Sequence, residues 1–184
     1  MSFESYYWRK NLKRDLKFIE NKLEINFSKI NDEKVDEIYS LVEIKLFTIA
    51  YSIRKLLDTR KFPDMISQKE IPVIVYPRNK SERFRIYIGD EDKLYRLDLG
   101  KKTKLKLRFL CNQFVHSFIF QIYRNYHNKM RELSFTSDDN KDKYLYSVKL
   151  EDFIKSIRDI VDIYPVEQHT FYNKNSGKYE TVVK

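Results

Sequence analysis

The segment from Leu110 to Phe118, Leu-Cys-Asn-Gln-Phe-Val-His-Ser-Phe, places chemically capable side chains in an otherwise apolar stretch. Asn112 and His116 are four residues apart, so on a helix they lie on one face, one turn from each other. An imidazole can act as a general base or a general acid because it titrates near neutrality. An amide one turn earlier could orient a phosphate or hold the imidazole. Asn112 and His116 are therefore the candidate catalytic residues.

Basic side chains precede this segment and suggest a polyanionic partner. Lys102, Lys106 and Arg108 could stabilise the charge of a phosphate. Arg78, Arg83 and Arg85 alternate with tyrosines, a composition that suits phosphate contact and base stacking. A strand whose exposed edge is protected by charges has the same composition, so both interpretations remain open. These six residues are the candidate nucleic-acid-binding residues.

Length and charge set the general class of the protein. The chain has 184 residues, 42% of them hydrophobic, and a formal net charge of +9. This length predicts a single domain over residues 1–184, with a helical part over 1–62 and a mixed part over 70–184. The charge favours RNA or another polyanion, although a solvated lysine-rich surface would have the same charge.

Other compartments and cofactors are disfavoured. No run approaches the roughly 20 apolar residues of a membrane span, so no membrane partner is expected. The first residues lack a signal-peptide pattern. A single cysteine excludes an internal disulfide and favours the cytoplasm. The three histidines match no zinc spacing, so neither a metal nor a cofactor is expected.

The first third of the chain has helical periodicity. Apolar residues recur at three- and four-residue steps over 4–24 and 32–60, with Asn31 or Asp32 as the N-cap of the second helix. Glu43 and Arg54 fall within an apolar stripe of that helix. Buried charges need partners, so we expect each of them to meet a group on another element. Alternatively, Arg54 pairs with Asp58 one turn away.

The remainder alternates between strand and helix patterns. Strands are predicted over 71–76, 84–88, 118–123, 133–136 and 144–149, with a weaker one over 94–99. Helices are predicted over 103–116 and 150–162, and a hairpin over 169–183. The predicted fold is α+β, with two long N-terminal helices packed on a mostly antiparallel sheet and two further helices.

The Asn-x-x-x-His spacing, at the end of an apolar helix and followed by the aromatic Phe118, resembles the HEPN family. Members of this family are helical domains of prokaryotic toxin and antiviral systems, and many cleave RNA as dimers. The resemblance implies roles for Asn112 and His116 in RNA chemistry. Cys111 stands where the family has its catalytic arginine, and the nearest upstream arginine is Arg108. The chain also looks like small bacterial proteins that share its Ile-Arg-Lys-Leu and Cys-Asn-Gln-x-x-His-Ser segments, a likeness that implies no activity.

Three functional hypotheses follow. The first is an RNA-associated protein of HEPN-like character, in a bacterial defence or toxin system and without strong catalysis. The second is a protein-interaction module or scaffold, paired with another protein or with a second copy of the chain. The third is a metal-independent ribonuclease that uses His116. A structural alternative also stands, in which His116 caps its helix, Asn112 bridges to the sheet and Cys111 fills the core.

Overall fold

The structure is a computed structural model that describes residues 4–81 and 91–184. Its helices and strands follow in chain order: α1 (Ser5–Leu23), α2 (Asp32–Asp58), β1 (Glu70–Pro77), α3 (Glu91–Leu94), β2 (Lys101–Lys106), α4 (Leu107–Val115), β3 (Ser117–Arg124), β4 (Met130–Ser137), β5 (Tyr144–Lys149), α5 (Leu150–Arg158), β6 (Gln168–Asn173) and β7 (Lys178–Val183). Short 3-10 turns occupy Phe27–Lys29, Asp64–Gln68 and Leu97–Leu99. The predicted α+β class is confirmed.

The two N-terminal helices form where the periodicity predicts them. In α2, Val42, Leu46, Ile49 and Ile53 are fully buried and recur at three- and four-residue steps. The helix starts after Asn31, whose side-chain oxygen accepts a hydrogen bond from the backbone N–H of Lys34 at 3.0 Å. This N-cap satisfies one of the donors left free at a helix start.

In the described residues, five strands form an antiparallel sheet in the order β2-β1-β5-β4-β3. Side chains alternate between the two faces of each strand. On the inner face, Val73, Val148 and Phe135 join a core that also contains residues of α1, α2, α4 and α5. The sheet therefore carries the long helices on one side, as predicted, and one core contains residues of both the helical and the mixed parts.

The outer face of the sheet is partly covered by the segment that contains α3. Leu94 and Tyr95 are buried there against Leu145, and the Tyr95 hydroxyl donates a hydrogen bond to the carbonyl of Lys141 at 2.8 Å. The strand predicted over 94–99 is therefore wrong. These residues form the end of α3 and a 3-10 turn, and in the described part of the chain their pairing is limited to a single antiparallel bridge between Tyr95 and Arg78.

The helix predicted over 103–116 is wrong in its first part. Residues Lys101–Lys106 form edge strand β2, paired with β1 in the register Ile71↔Leu105 and Val73↔Thr103. The helix begins only at Leu107, whose backbone N–H donates to the carbonyl of Lys69 at 2.7 Å. Pairing with a distant strand outweighs the helical preference of Lys and Leu in this segment. Lys102 and Lys106 therefore lie on a strand, not on one helix with Asn112.

The rest of the chain follows the predicted pattern. Strand β3, the β4–β5 hairpin, α5 and the β6–β7 hairpin are all present, although α5 ends at Arg158 rather than at 162. The strand predicted over 84–88 lies outside the described residues. Within residues 4–81 and 91–184, none of the helices has the length and apolarity that crossing a bilayer would require.

Candidate functional site

Helix α4 presents one apolar and one polar face. Leu110, Cys111 and Phe114 are fully buried in the core. Arg108, Asn112 and His116 recur at four-residue steps and form the polar face of the helix. This polar face lies beside the C-terminal end of α2, because α4 packs against α2. His116 is the C-cap residue, and its backbone N–H donates to the carbonyl of Asn112 at 3.1 Å.

The arginine that contacts His116 comes from α2. Nη1 of Arg54 lies 3.0 Å from Nε2 of His116. A guanidinium has no acceptor, so Arg54 donates and Nε2 accepts. In this contact the imidazole is neutral and carries its proton on Nδ1. His116 is exposed and the Arg54 side chain is 33% exposed, so the pair is open to solvent.

A carboxylate extends this pair into a chain of charged groups. Oδ1 of Asp58 lies 2.5 Å from Nη2 of Arg108, and Oδ2 lies 3.8 Å from Nε of Arg54. The cluster of His116, Arg54, Asp58 and Arg108 therefore joins α2 to both ends of α4. It holds two guanidinium groups and one carboxylate, so an excess positive charge remains beside a neutral imidazole.

The side chain of Asn112 does not hold the imidazole of His116, although its position one turn earlier suggests this role. Its side-chain oxygen is buried and has no hydrogen-bond partner in the described part of the chain. A buried acceptor without a partner costs about 1–3 kcal/mol. Asn112 therefore does not orient the imidazole, and Arg54 does so instead.

Cys111, at the position where the HEPN motif has arginine, is completely buried. Burial raises the pKa of its thiol to about 12, and the positive charge of Arg54 opposes part of this rise. The thiol is neutral at physiological pH and belongs to the core, as predicted.

The other candidate basic residues do not converge on this cluster as a single stripe. Lys102 and Lys106 are exposed on β2, where their register positions place them on the outer face of the sheet. Arg78 donates to the carbonyls of Asn79, at 3.0 Å, and Leu94, and its guanidinium lies 5.6 Å from the ring centre of Tyr95. These contacts fix the segment before α3. Arg83 and Arg85 lie outside the described residues.

The expectation for the charged residues of α2 is half correct. Arg54 meets a partner on another element, His116, and also lies near Asp58. Glu43 is exposed, so the expectation of a buried partner for it is wrong. Within residues 4–81 and 91–184, no group of three or more His, Cys, Asp or Glu side chains is arranged to hold a metal ion.

Sequence reasoning missed Arg54 as a site residue. Its position in a helical apolar stripe was the available signal, because a charge there needs a partner. No sequence spacing identified that partner, since Arg54 and His116 are 62 residues apart. No protein-family model, curated protein or solved structure matches the chain. The resemblance to the HEPN family therefore stays a prediction.

Proposed function

We propose that the protein is a cytoplasmic, RNA-associated protein of HEPN-like character that holds RNA phosphates at the cluster of His116, Arg54, Asp58 and Arg108. The observation that carries this proposal is the 3.0 Å contact between Nη1 of Arg54 and Nε2 of His116. It supplies a guanidinium beside the imidazole, where the motif itself has only Cys111. A role in a bacterial defence or toxin system follows from the resemblance alone.

The chemistry of arginine supports a phosphate ligand. A guanidinium has five N–H donors in a planar fork that matches phosphate oxygens. Arg54 uses one of these nitrogens on His116, and Arg108 uses one on Asp58. Both side chains are partly exposed, at 33% and 48%, so a phosphate can approach them from solvent.

The charge of the surrounding chain supports the same ligand. Lys106 is the N-cap residue of α4, two positions before Arg108, and Lys102 lies on the same strand. Both lysine side chains are exposed. With a net charge of +9 for the whole chain, electrostatic attraction would bring a polyanion to the protein.

RNA binding is tested by fluorescence anisotropy with a labelled single-stranded RNA over a series of KCl concentrations. Charge reversal of Lys102, Lys106 and Arg108 to Glu should abolish binding at physiological salt. For single-stranded RNA, each phosphate contact contributes roughly 0.7 to the magnitude of the slope of log K against log salt. Loss of three contacts should therefore reduce that magnitude by about 2.

The matched control reverses Lys10, Lys17 and Lys174, which are exposed and distant in sequence from the cluster. Each triple variant lowers the net charge from +9 to +3, because each reversal changes the charge by two. Equal losses in both variants would show that net charge alone drives binding. Absence of RNA affinity in the wild type at physiological salt would instead support the protein-interaction alternative.

The same contact favours a second function, metal-independent RNA cleavage. Arg54 would turn from Nε2 of His116 to the phosphate, and the freed Nε2 would take the proton of the ribose 2′-hydroxyl while the 2′-oxygen attacks the adjacent phosphorus. The bond to the 5′-oxygen would break, leaving a 2′,3′-cyclic phosphate. The leaving oxygen would take a proton from solvent water, and the imidazolium would return its proton to solvent. Arg54 would stabilise the charge that develops on the phosphate.

Cleavage is tested with wild type, His116→Ala and Arg54→Lys prepared identically. A ribonuclease predicts loss of activity in His116→Ala and a large reduction in Arg54→Lys, because an ammonium does not reproduce the planar fork. Equal activity in all three preparations would point to a contaminating nuclease.

A further inference from the structure

The outer face of the sheet carries a groove that the proposed function does not use. Two adjoining cavities lie there, with volumes of about 250 Å³ and about 380 Å³. They share Glu132 of β4 and Ser147 of β5 in their walls. Their combined size falls within the range of pockets that hold small organic ligands, roughly 300–1,000 Å³.

The floor of the groove is polar although it is buried. Ser134 and Ser147 lie opposite each other on β4 and β5, and are only 7% and 4% exposed. The Ser134 hydroxyl lines the larger cavity and has no hydrogen-bond partner among the residues that the structure describes. Oγ of Ser147 reaches Oε2 of Glu132 only at 3.5 Å. Both hydroxyls face the cavities, so this floor offers hydrogen bonds to a polar ligand.

The two ends of the groove differ in charge. Lys102 and Lys149 line one end together with Asp152. Neither lysine forms an ion pair with a described residue, whereas Lys104, on the same strand as Lys102, pairs with Glu70. At the other end, Glu91 and Asp92 lie beside the groove. An anionic group would therefore bind at the lysine end and be repelled from the acidic end.

Two tyrosines line the cavity at the acidic end, Tyr76 of β1 and Tyr123 of β3. The ring of Tyr76 lies against the backbone of Gly100. A Cβ added at Gly100 would lie 2.5 Å from Cε1 of Tyr76, so only glycine leaves room for the ring there. Burial is the main reason that the pKa of Tyr123 rises to about 12, so its hydroxyl stays protonated. Aromatic side chains on an open sheet face are a common platform for unpaired bases.

We propose that this groove binds a ribonucleotide. Lys102 and Lys149 would hold its phosphate, and Glu132, Ser134 and Ser147 would bind ribose hydroxyls or base amino groups. Tyr76 and Tyr123 would contact the base. The groove lies on the outer face of the sheet, whereas the Arg54–His116 pair lies in the helical layer, so this inference does not rest on the proposed function. The same chemistry would recognise a free nucleotide or one nucleotide of an RNA strand.

The test is an NMR titration of ¹⁵N-labelled full-length protein with AMP, CMP, GMP and UMP in separate experiments. At least one nucleotide should shift the amide signals of β1, β4 and β5. Lys149→Glu should weaken binding about tenfold, the loss expected for one charge-assisted contact. Lys174→Glu is the matched control, because Lys174 is exposed on the β6–β7 hairpin, and it should leave the affinity within about a factor of two.

One further variant and three further probes make the test specific. Ser134→Ala removes the unpartnered hydroxyl without adding volume, and should weaken binding several-fold at unchanged folding. Inorganic phosphate and ribose 5-phosphate should bind more weakly than the nucleotide. A short single-stranded RNA that shifts the same signals would identify RNA as the source of the nucleotide, and no shift with RNA would identify a free nucleotide.

The proposal is overturned if no nucleotide shifts these signals at millimolar concentration. It is also overturned if Lys149→Glu and Lys174→Glu bind equally well, or if inorganic phosphate binds as tightly as the nucleotides. Lys149→Glu and Ser134→Ala change none of the residues reversed in the RNA-binding test, so these outcomes are distinguishable from the salt-dependent RNA binding assigned to the Arg54–His116 cluster.

Discussion

The guanidinium of Arg54 donates to the imidazole of His116 across 3.0 Å, and so joins the last turns of α2 to the end of α4. The direction of this hydrogen bond is fixed, because a guanidinium has no acceptor. The contact gives the Asn-x-x-x-His segment a cation that its own sequence lacks.

The Arg54–His116 contact should add little to stability. A double-mutant cycle with Arg54→Ala, His116→Ala and the double variant should give a coupling energy of about 0.2–1 kcal/mol, as for partly exposed polar pairs. Urea unfolding monitored by circular dichroism measures it. A coupling above about 2 kcal/mol would mean that the pair fixes the junction of α4 and β3, and the functional interpretation would lose its basis.

Asn112 should be replaceable by an apolar residue of similar size. Its side-chain oxygen is buried without a partner in the described residues, so Asn112→Leu removes an unsatisfied acceptor that costs about 1–3 kcal/mol. We expect the free energy of unfolding to stay equal or to rise by about 1 kcal/mol. A loss of more than about 1 kcal/mol would show that the amide has a structural partner, and RNA binding by the same variant shows whether the amide contacts the ligand.

The thiol of Cys111 should be inert in the folded protein. Burial raises its pKa to about 12, and the thiolate is the reactive form. At pH 8, a thiol reagent should label Cys111 in urea and leave it unlabelled in buffer. Rapid labelling of the native protein would contradict the buried position.

The same pKa shift makes stability depend on alkaline pH. The pKa of Cys111 is higher in the folded state than in the unfolded state, so the folded protein retains the proton longer. The protonated thiol therefore contributes fully to the free energy of unfolding below the pKa that Cys111 has in the unfolded chain. This contribution is lost as the pH rises towards about 12. The stability difference between wild type and Cys111→Ala should therefore shrink between about pH 9 and pH 11, and a constant difference would argue against the shift.

Arg9 should be one of the most sensitive positions in the helical layer. Its side chain is 1% exposed, and it donates to the carbonyls of Val161 and Lys61, each at 2.5 Å. Its guanidinium also lies 4.4 Å and 4.1 Å from the ring centres of Phe62 and Tyr164. It ties α1 to the segments that follow α2 and α5.

Arg9→Leu should cost about 3–6 kcal/mol, because two hydrogen bonds to a charged group are lost at about 1.5–3 kcal/mol each. Lys10→Leu, at the exposed neighbouring position, should change the free energy of unfolding by less than about 0.5 kcal/mol. Urea unfolding compares the two. Similar stabilities for both variants would show that the Arg9 contacts contribute nothing.

The sequence determined the elements whose signal is local. Apolar residues at helical spacing predicted α1 and α2 to within about two residues, because an amphipathic face must be buried whatever its partner. The β4–β5 and β6–β7 hairpins were also predicted from local signals, because a turn joins strands that are adjacent in sequence.

Tertiary structure decided the elements whose partners are distant. Lys101–Lys106 has a composition that suits a helix, and only its pairing with β1 makes it a strand. Leu94 and Tyr95 form no strand because they are buried against Leu145 on the outer face of the sheet. Likewise, sequence spacing identified Asn112 and His116, but only the packing of α4 on α2 brought Arg54 to His116. Periodicity depends only on residues that are close in sequence, whereas a contact between residues 62 positions apart forms only when the chain folds.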